Sequence, residues 1–345
     1  MRRGRGFAYT DDSGNRFSDP EELERIRELA IPPAWKDVWI CLDRRGHLQA
    51  TGVDGAGRKQ YLYHPLWRTR RDQQKFDQMI EFANALPRMR RIVARDIRKG
   101  EMSRDQVLAC AVRMLDRGFF RIGSEDYAEQ NDSYGLATMR KEHVTVNGEE
   151  IEFDYPAKSG RRRVHSIADD DVRGIVSSLK RRRGGGDELL AYRNRGRWRD
   201  IASSEINEYV KATTGGDFSA KDFRTWNATV LAAVALALNG SEATSKTSRK
   251  RAISAAVKGV AHFLGNTPAV CRASYIDPRV FDRYLSGWTI GGAIAKVKDP
   301  ANIVDPRPRR LVEEAVLDLI TEQKPSQLGK VPELERVAEL EKVAA

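Results

Sequence analysis

Residues 265–275 read GNTPAVCRASY, and the order of glycine, threonine, proline and tyrosine in this run sets the helical frame around it. Gly265 is suited to close a helix expected over about Ser248 to Leu264, where Ile253, Val257, Val260 and Leu264 fall along one face. Thr267 then offers an N-cap with Pro268 at the first helical position, and Asp277-Pro278 repeats the device for the next helix. Tyr275 is therefore expected near the end of a short helix whose start is held close to Asn266. Upstream, Ser203 to Thr213 and Ala220 to Leu238 also read as helices, interrupted earlier by a β interlude. There Val144-Thr145-Val146 and Ile151-Glu152-Phe153 flank a tight turn at Asn147-Gly148, and a second turn, Ala157-Lys158-Ser159-Gly160, leads into the strand RRRVHSIA.

The first part of the chain has a different texture. VWICL, HLQATGV and KQYLYH read as strands of a small antiparallel sheet, punctuated by Asp43-Arg44-Arg45-Gly46 and Asp54-Gly55-Ala56-Gly57, with a helical segment around Glu21 to Leu29. A helix from about Trp67 to Asn84 follows, and Pro87 is expected to end it. The reading is α+β: a small β-rich N-terminal domain over 1–86 and a larger, mostly α-helical domain over 87–345. The tail from Val331 to Ala345 has the pattern of an amphipathic helix.

The 345 residues carry a net charge of +11, of which residues 1–86 hold +2 and residues 87–345 hold +9. Such an excess suits a polyanionic partner, because neutralising phosphates and releasing their counterions dominates nucleic-acid affinity. Cys41, Cys110 and Cys271 are odd in number and far apart, which fits three free thiols in a reducing compartment rather than a disulfide framework. The N-terminus lacks the apolar core of a secretory signal. The longest apolar run, Thr229 to Leu238, is about ten residues, short of the roughly 20 needed to span a bilayer. A soluble, cytoplasmic, nucleoid-associated protein is expected, with no membrane partner.

Four polar residues accompany Tyr275: Arg121 in FFRIGSEDY, Lys158 in FDYPAKSG and Arg224 in KDFRTWNAT from separate segments, and Asn266 from its own. Each has an ordinary explanation when taken alone, as an ion pair, a solvated turn residue or a core contact. Together they supply what phosphoryl transfer to a tyrosine requires. The phenol, with a pKa of about 10 in water, needs nearby cations to favour its anion. Guanidinium forks bind phosphate oxygens in pairs, an ammonium can protonate a departing oxygen, and a side-chain amide can donate one further hydrogen bond. None of this chemistry requires a metal or cofactor. Asp169-Asp170-Asp171 reads as a helix start, Gly55-Ala56-Gly57-Arg58-Lys59 lacks the spacing of a nucleotide-binding loop, and His143, His165 and His262 lack zinc spacing.

The segments FFRIGSEDYAEQNDSYGLATMRKEHV, FDYPAKSG, KDFRTWNAT and GNTPAVCRASY resemble those of type IB DNA topoisomerases of the bacterial and poxvirus branch, and HLQATGVDGAGRKQYLYHP resembles their DNA-clamping N-terminal domain. By that resemblance Arg121, Lys158, Arg224 and Asn266 match phosphate-activating positions, and Tyr275 matches the nucleophile. Tyr61, Tyr63 and Tyr127 match positions touching DNA, with Arg58, Lys59 and Gln60 beside them as further expected contacts. The resemblance implies relaxation of supercoiled duplex DNA through a 3′-phosphotyrosyl intermediate, without ATP or metal, by a monomer closing as a C-shaped clamp. Poxvirus and nuclear members carry histidine where this chain has Asn266, which can donate but cannot shuttle a proton. A tyrosine recombinase shares the nucleophile and arginines, but Lys221 stands where recombinases usually carry histidine and the N-terminal part is β-rich rather than helical. A non-catalytic basic DNA-binding protein would explain the charge alone.

Overall fold

The computed structural model describes the chain except residues 1, 4–5, 12, 241–242, 298–305, 323–327 and 331–345. Helices and small antiparallel sheets alternate along it, and contacts divide it into two units, Met1–Lys75 and Phe76–Ala345. The helix expected over the tail lies outside the described residues.

In the first unit, a two-stranded ribbon of β1 (Arg2–Arg3) and β2 (Gly6–Phe7) precedes α1 (Pro20–Glu28), which Asp19 caps. The three expected strands form one sheet in the order β3 (Lys36–Ile40), β4 (Leu48–Val53), β5 (Lys59–Tyr63). Gln49 is buried beneath it, donating to the carbonyls of Asp43 and Gly46 and accepting from Arg25 at 2.8 Å. This satisfied polar anchor ties α1 to the Asp43–Gly46 turn.

The helix α2 runs from Pro65 to Asp96, unbroken at Pro87. The expected stop is therefore wrong. A mid-helix proline costs about 3 kcal/mol, but Met79, Phe82, Ala83, Leu86, Met89 and Val93 form a buried stripe that continues through it. Packing along both halves outweighs the local break.

In the second unit, α3 (Arg104–Gly118) leads to α4 (Glu125–Asn131) and then to a sheet ordered β6 (Val144–Asn147), β7 (Glu150–Ala157), β8 (Arg161–Ala168). Asn147 pairs with Glu150, so the tight turn is Gly148-Glu149 rather than Asn147-Gly148. Gly148, at φ 57°, occupies the first central position of a primed turn. The triple aspartate begins α5 (Asp170–Arg181), with Asp169 as its N-cap. A hairpin of β9 (Ala191–Asn194) and β10 (Arg197–Asp200) precedes α6 (Ser203–Thr214).

Helix α7 (Ala220–Asn239) is the centre of the unit. Its start is fixed by Ser219 and Asp222, and Phe223, Trp226, Ala232, Ala233 and Leu236 are buried along it. Around it stand α8 (Lys246–Leu264), α9 (Pro268–Ser274), α10 (Pro278–Leu285), the short α11 (Gly291–Ile294) and α12 (Pro306–Thr321), with a small ribbon of β11 (Trp288–Thr289) and β12 (Gly329–Lys330). Gly265 closes α8 at φ 62°, Thr267 caps α9 ahead of Pro268, and Asp277 caps α10 ahead of Pro278. The three cysteines are free.

A buried charge network joins α2, α3 and α12. Arg90 and Arg309 both hold Asp116 and Glu313, at 2.5–2.9 Å. Burial opposes ionisation of Asp116, but Arg309 and Arg90 more than offset it and hold the carboxyl well below its usual range. Its contribution is therefore complete above the unfolded-chain value of about 3.9 and is lost as the pH falls below that value. We expect Asp116→Ala to lower the unfolding free energy by about 3–5 kcal/mol, since it leaves two guanidiniums in the core to share the single carboxylate of Glu313. Urea unfolding at neutral pH measures this, and the gap between wild type and variant should shrink in acid.

Candidate active site

Three consecutive carbonyls at the C-terminal end of α8 each receive a different arginine. Phe263 O accepts from Arg163 Nη2 at 2.5 Å, Leu264 O from Arg224 Nη2 at 2.9 Å, and Gly265 O from Arg121 Nη2 at 3.1 Å. The last carbonyls of a helix lack intrahelical partners and carry its negative dipole end, so they attract cations. A fourth carbonyl joins the cluster: Phe119 O accepts from Arg224 Nη1 at 2.7 Å and Arg163 Nη2 at 3.4 Å. Phe119 closes α3 in the left-handed conformation, at φ 55°, which turns the chain directly into Phe120 and Arg121.

Backbone bonds fix that turn. The Arg121 carbonyl accepts from Leu136 N–H at 2.8 Å and the Ile122 carbonyl from Ala137 N–H at 2.7 Å. Gly123 and Gly135 pass so closely that a Cβ on Gly135 would lie 2.3 Å from the Gly123 nitrogen. This explains both glycines of FFRIGSEDY…SYG. Arg121 also donates to Asn266 Oδ1, which leaves Asn266 Nδ2 buried without a partner. Arg224, 4% exposed in the second turn of α7, likewise has a buried Nε with no well-formed hydrogen bond. Unfilled donors of this kind are costly unless something else accepts from them.

No carboxylate among the described residues pairs with Arg121, Arg163 or Arg224. The contrast within the same unit is sharp. Arg113 and Arg117 share Asp169 at 2.7 and 2.8 Å, and Arg90 and Arg309 share Asp116 and Glu313. The three guanidiniums at α8 are held by neutral carbonyls instead, so their charge persists. The Arg224 guanidinium is brought down to about 10, by burial first and then by Arg121. Burial also lowers the proton affinity of Arg163, with Arg121 adding to the effect.

Two phenols face this charge. Tyr155, on β7, is 2% exposed, and burial raises its pKa despite Arg163, Arg224 and Arg121. Tyr275 ends α9, half-buried, with its ring centroid 5.2 Å from the Arg224 guanidinium carbon. Burial opposes its ionisation, but Arg224 and then Arg121 hold the phenol below the usual tyrosine range. Its main chain is pinned from two sides, by Tyr275 N–H to Cys271 O at 3.0 Å and by the Thr229 hydroxyl to Tyr275 O at 3.4 Å. Of the two phenols, Tyr275 alone combines exposure with a favoured anion. His165, whose ring nitrogens are both buried without partners, is pushed down to about 3 by burial and Arg163 and is unsuited to carry a proton near neutrality.

The structure thus gathers Arg121, Arg224, Asn266 and Tyr275, and adds Arg163. Lys158 lies apart from this hydrogen-bonded cluster. It is exposed in the turn Lys158–Gly160 between β7 and β8, where no hydrogen bond or ion pair among the described residues holds its ammonium. Tyr127 is half-buried on α4.

In the first unit, Tyr61 stacks near Tyr63 at 6.2 Å between centroids, and Tyr63 stacks on Trp67 at 4.4 Å. Lys59 lies over Tyr61 and Arg71 over Trp67, at 5.9 and 5.6 Å, so the aromatic ladder has a cation at each end. Arg58 Nε and Gln60 Nε2 both donate to Asp54, at 3.0 and 2.8 Å. Backbone and side-chain hydrogen bonds from Arg58 hold that carboxyl down at about 2. Trp67 and Arg71 were not expected from the strand pattern, because they lie on the helix that follows it.

A phenol beside unneutralised guanidiniums is suited to phosphate esters, and comparison with known proteins gives the class. Residues 64–286 match the family model "Eukaryotic DNA topoisomerase I, catalytic core", and residues 6–54 match "Bacterial DNA topoisomerase IB, N-terminal domain". The DNA topoisomerase 1B of Acanthamoeba polyphaga mimivirus is 31% identical over 289 residues, covering 81% of this chain and 85% of the relative. The DNA topoisomerase 1B of vaccinia virus (strain Copenhagen) is 21% identical, covering 80% and 87%. The chain belongs to the type IB DNA topoisomerase family.

Proposed function

We propose that this chain relaxes supercoiled duplex DNA by cutting one strand with Tyr275 and resealing it, using Arg121, Arg224, Asn266 and Lys158. The observation that carries this reading is the set of guanidiniums held on the neutral carbonyls of Phe119, Leu264 and Gly265 beside Tyr275. They leave positive charge free for the non-bridging oxygens of a phosphodiester, whose negative charge grows as phosphorus becomes pentacoordinate. Asn266 Nδ2 and Arg224 Nε supply buried donors beside the Tyr275 phenol that no well-formed hydrogen bond occupies in the free protein.

The Tyr275 phenol gives up its proton to water, its oxygen attacks phosphorus and the bond to the 5′ oxygen breaks, leaving a 3′-phosphotyrosyl link. The departing 5′ oxygen takes a proton from Lys158, which swings into the site when DNA fills it; resealing reverses both transfers. Asn266 acts only as a donor. The ester bond is conserved through the cycle, so release of supercoiling supplies the downhill direction and no nucleotide is consumed.

Residues 1–86 serve as the DNA-clamping domain and 87–345 as the catalytic domain, closing as a C-shaped clamp around duplex DNA in a monomer. Tyr61, Tyr63, Arg58, Lys59, Gln60 and Tyr127 contact the duplex. The match of residues 6–54 to a bacterial topoisomerase N-terminal domain and the charge of +9 on residues 87–345 support this division. A nucleoid-associated place in the cytoplasm follows from that substrate. The test is relaxation of negatively supercoiled plasmid in EDTA without ATP. A ladder of relaxed topoisomers is expected; binding without any change in linking number would sink the proposal.

A further inference from the structure

The basic run Lys180–Arg183 leads into three glycines, yet it is held in place. Lys180 and Arg181 end α5, and Arg182 is buried, donating to the carbonyls of Leu179, Gly186, Glu188 and Leu189. These bonds close the glycine-rich segment beneath the β9–β10 hairpin by filling carbonyls that no helix or strand satisfies.

What remains on the surface is a block of excess positive charge. Residues 180–200 contain eight Lys and Arg against three Asp and Glu. Arg181, Arg183, Arg193, Arg195, Arg197 and Arg199 are exposed, and among the described residues none of the six forms an ion pair. Asp200 is turned to the buried Arg182 instead, at 3.5 Å. An ordinary solvated face intersperses both signs, and this one does not.

The hairpin is also stiff. Its turn, Arg195-Gly196, has φ of 49° and 79°, as a two-residue type I′ turn requires. Arg193 N–H bonds the Met102 carbonyl at 2.9 Å, and the guanidiniums of Arg182 and Arg193 both lie over the Trp198 ring, at 5.7 and 5.8 Å. Arginines on such a platform lose less freedom on binding than those on a loop.

Chain connectivity ties the hairpin to the site. Four residues after Arg121, the Glu125 carboxylate accepts from Ser203 N–H and Oγ at 2.8 and 3.1 Å, and Ser203 lies three residues beyond the end of β10. Since a chain spans at most about 3.6 Å per residue, the hairpin foot lies within roughly 30 Å of Arg121 and its tip within roughly 50 Å. The outer bound is about one and a half turns of duplex.

We propose that the β9–β10 hairpin grips backbone phosphates of the same duplex up to about one and a half helical turns from the cleaved position, through Arg195, Arg197 and Arg199. The inference rests on the DNA-cleaving reading of Tyr275. Its test is a triple variant, Arg195→Asn with Arg197→Gln and Arg199→Gln, which removes no internal ion pair and keeps a residue that tolerates positive φ at the turn. Equilibrium binding is measured from 50 to 200 mM salt on a duplex with about 20 base pairs on each side of the cleavage site, and on one trimmed to about five, both scales set by the turn length.

With the long duplex, the salt slope should fall by about 2–3, at about 0.9 per lost phosphate contact, and affinity at low salt should drop at least tenfold. With the trimmed duplex the two proteins should bind alike. An unchanged slope on the long duplex, or an equal loss on both, would overturn the hairpin contact. Cleavage by the wild type on both duplexes is scored alongside: if the wild type does not cleave, the Tyr275 reading itself has failed, whatever the hairpin does.

Discussion

Tyr275→Phe should bind DNA as the wild type does and form no covalent adduct, with cleavage down by on the order of 10⁶-fold, the scale on which loss of a covalent nucleophile is felt. The substitution deletes one oxygen. The ring remains packed near the Arg224 guanidinium and the backbone ties to Cys271 and Thr229 persist, so folding has little reason to change. Binding is carried by phosphate contacts spread over the chain and should move less than twofold. Single-turnover cleavage with denaturant quenching and a parallel binding isotherm give both numbers. Residual cleavage near the wild-type rate would mean that another group attacks; Tyr155 is the other phenol facing the same charge, but burial raises its pKa.

Replacing Arg224 should produce the second largest loss. Arg224→Lys keeps a positive charge but gives up the fork that spans the Phe119 and Leu264 carbonyls. We expect cleavage to fall by about 10²–10³-fold, the cost typical of one misplaced transition-state donor. Arg224→Ala should fall further and also lose stability, because each stranded buried carbonyl costs about 1–3 kcal/mol. The lysine variant therefore separates the two roles: a slow enzyme with near-native unfolding and DNA affinity points to the phosphate. Wild-type cleavage by Arg224→Lys would reduce Arg224 to a buried strut.

Much of this arrangement was legible in the sequence because local chemistry dictated it. Gly265, Thr267-Pro268 and Asp277-Pro278 each encode a helix boundary in two or three residues, and the structure places α8, α9 and α10 accordingly. The positions of Arg121, Arg224, Asn266 and Tyr275 came from the motifs around them, not from any periodic pattern. What the sequence could not show was set by contacts distant along the chain. Pro87 reads as a stop because nothing local reveals the stripe that packs α2 on both sides of it. Arg182 reads as one of several surface arginines until the carbonyls of residues 186–189 fold over it. Arg163 sits in RRRVH like its neighbours, and only the strand register and the end of α8, 100 residues away, single it out. Lys158 is the converse case: its motif is distinctive, yet its side chain is free on a turn.

The measurement that bears most directly on the mechanism is the identity of the residue that becomes bonded to DNA. A duplex labelled at the scissile phosphate is incubated with wild-type protein in EDTA, quenched in denaturant, and digested with nuclease and protease before the labelled peptide is sequenced. The label should sit on Tyr275, in the peptide containing Ala273-Ser274-Tyr275, with the phosphate joined to the 3′ end of the cut strand. Label on another residue, on the 5′ end, or no label from protein that demonstrably binds the duplex would contradict it.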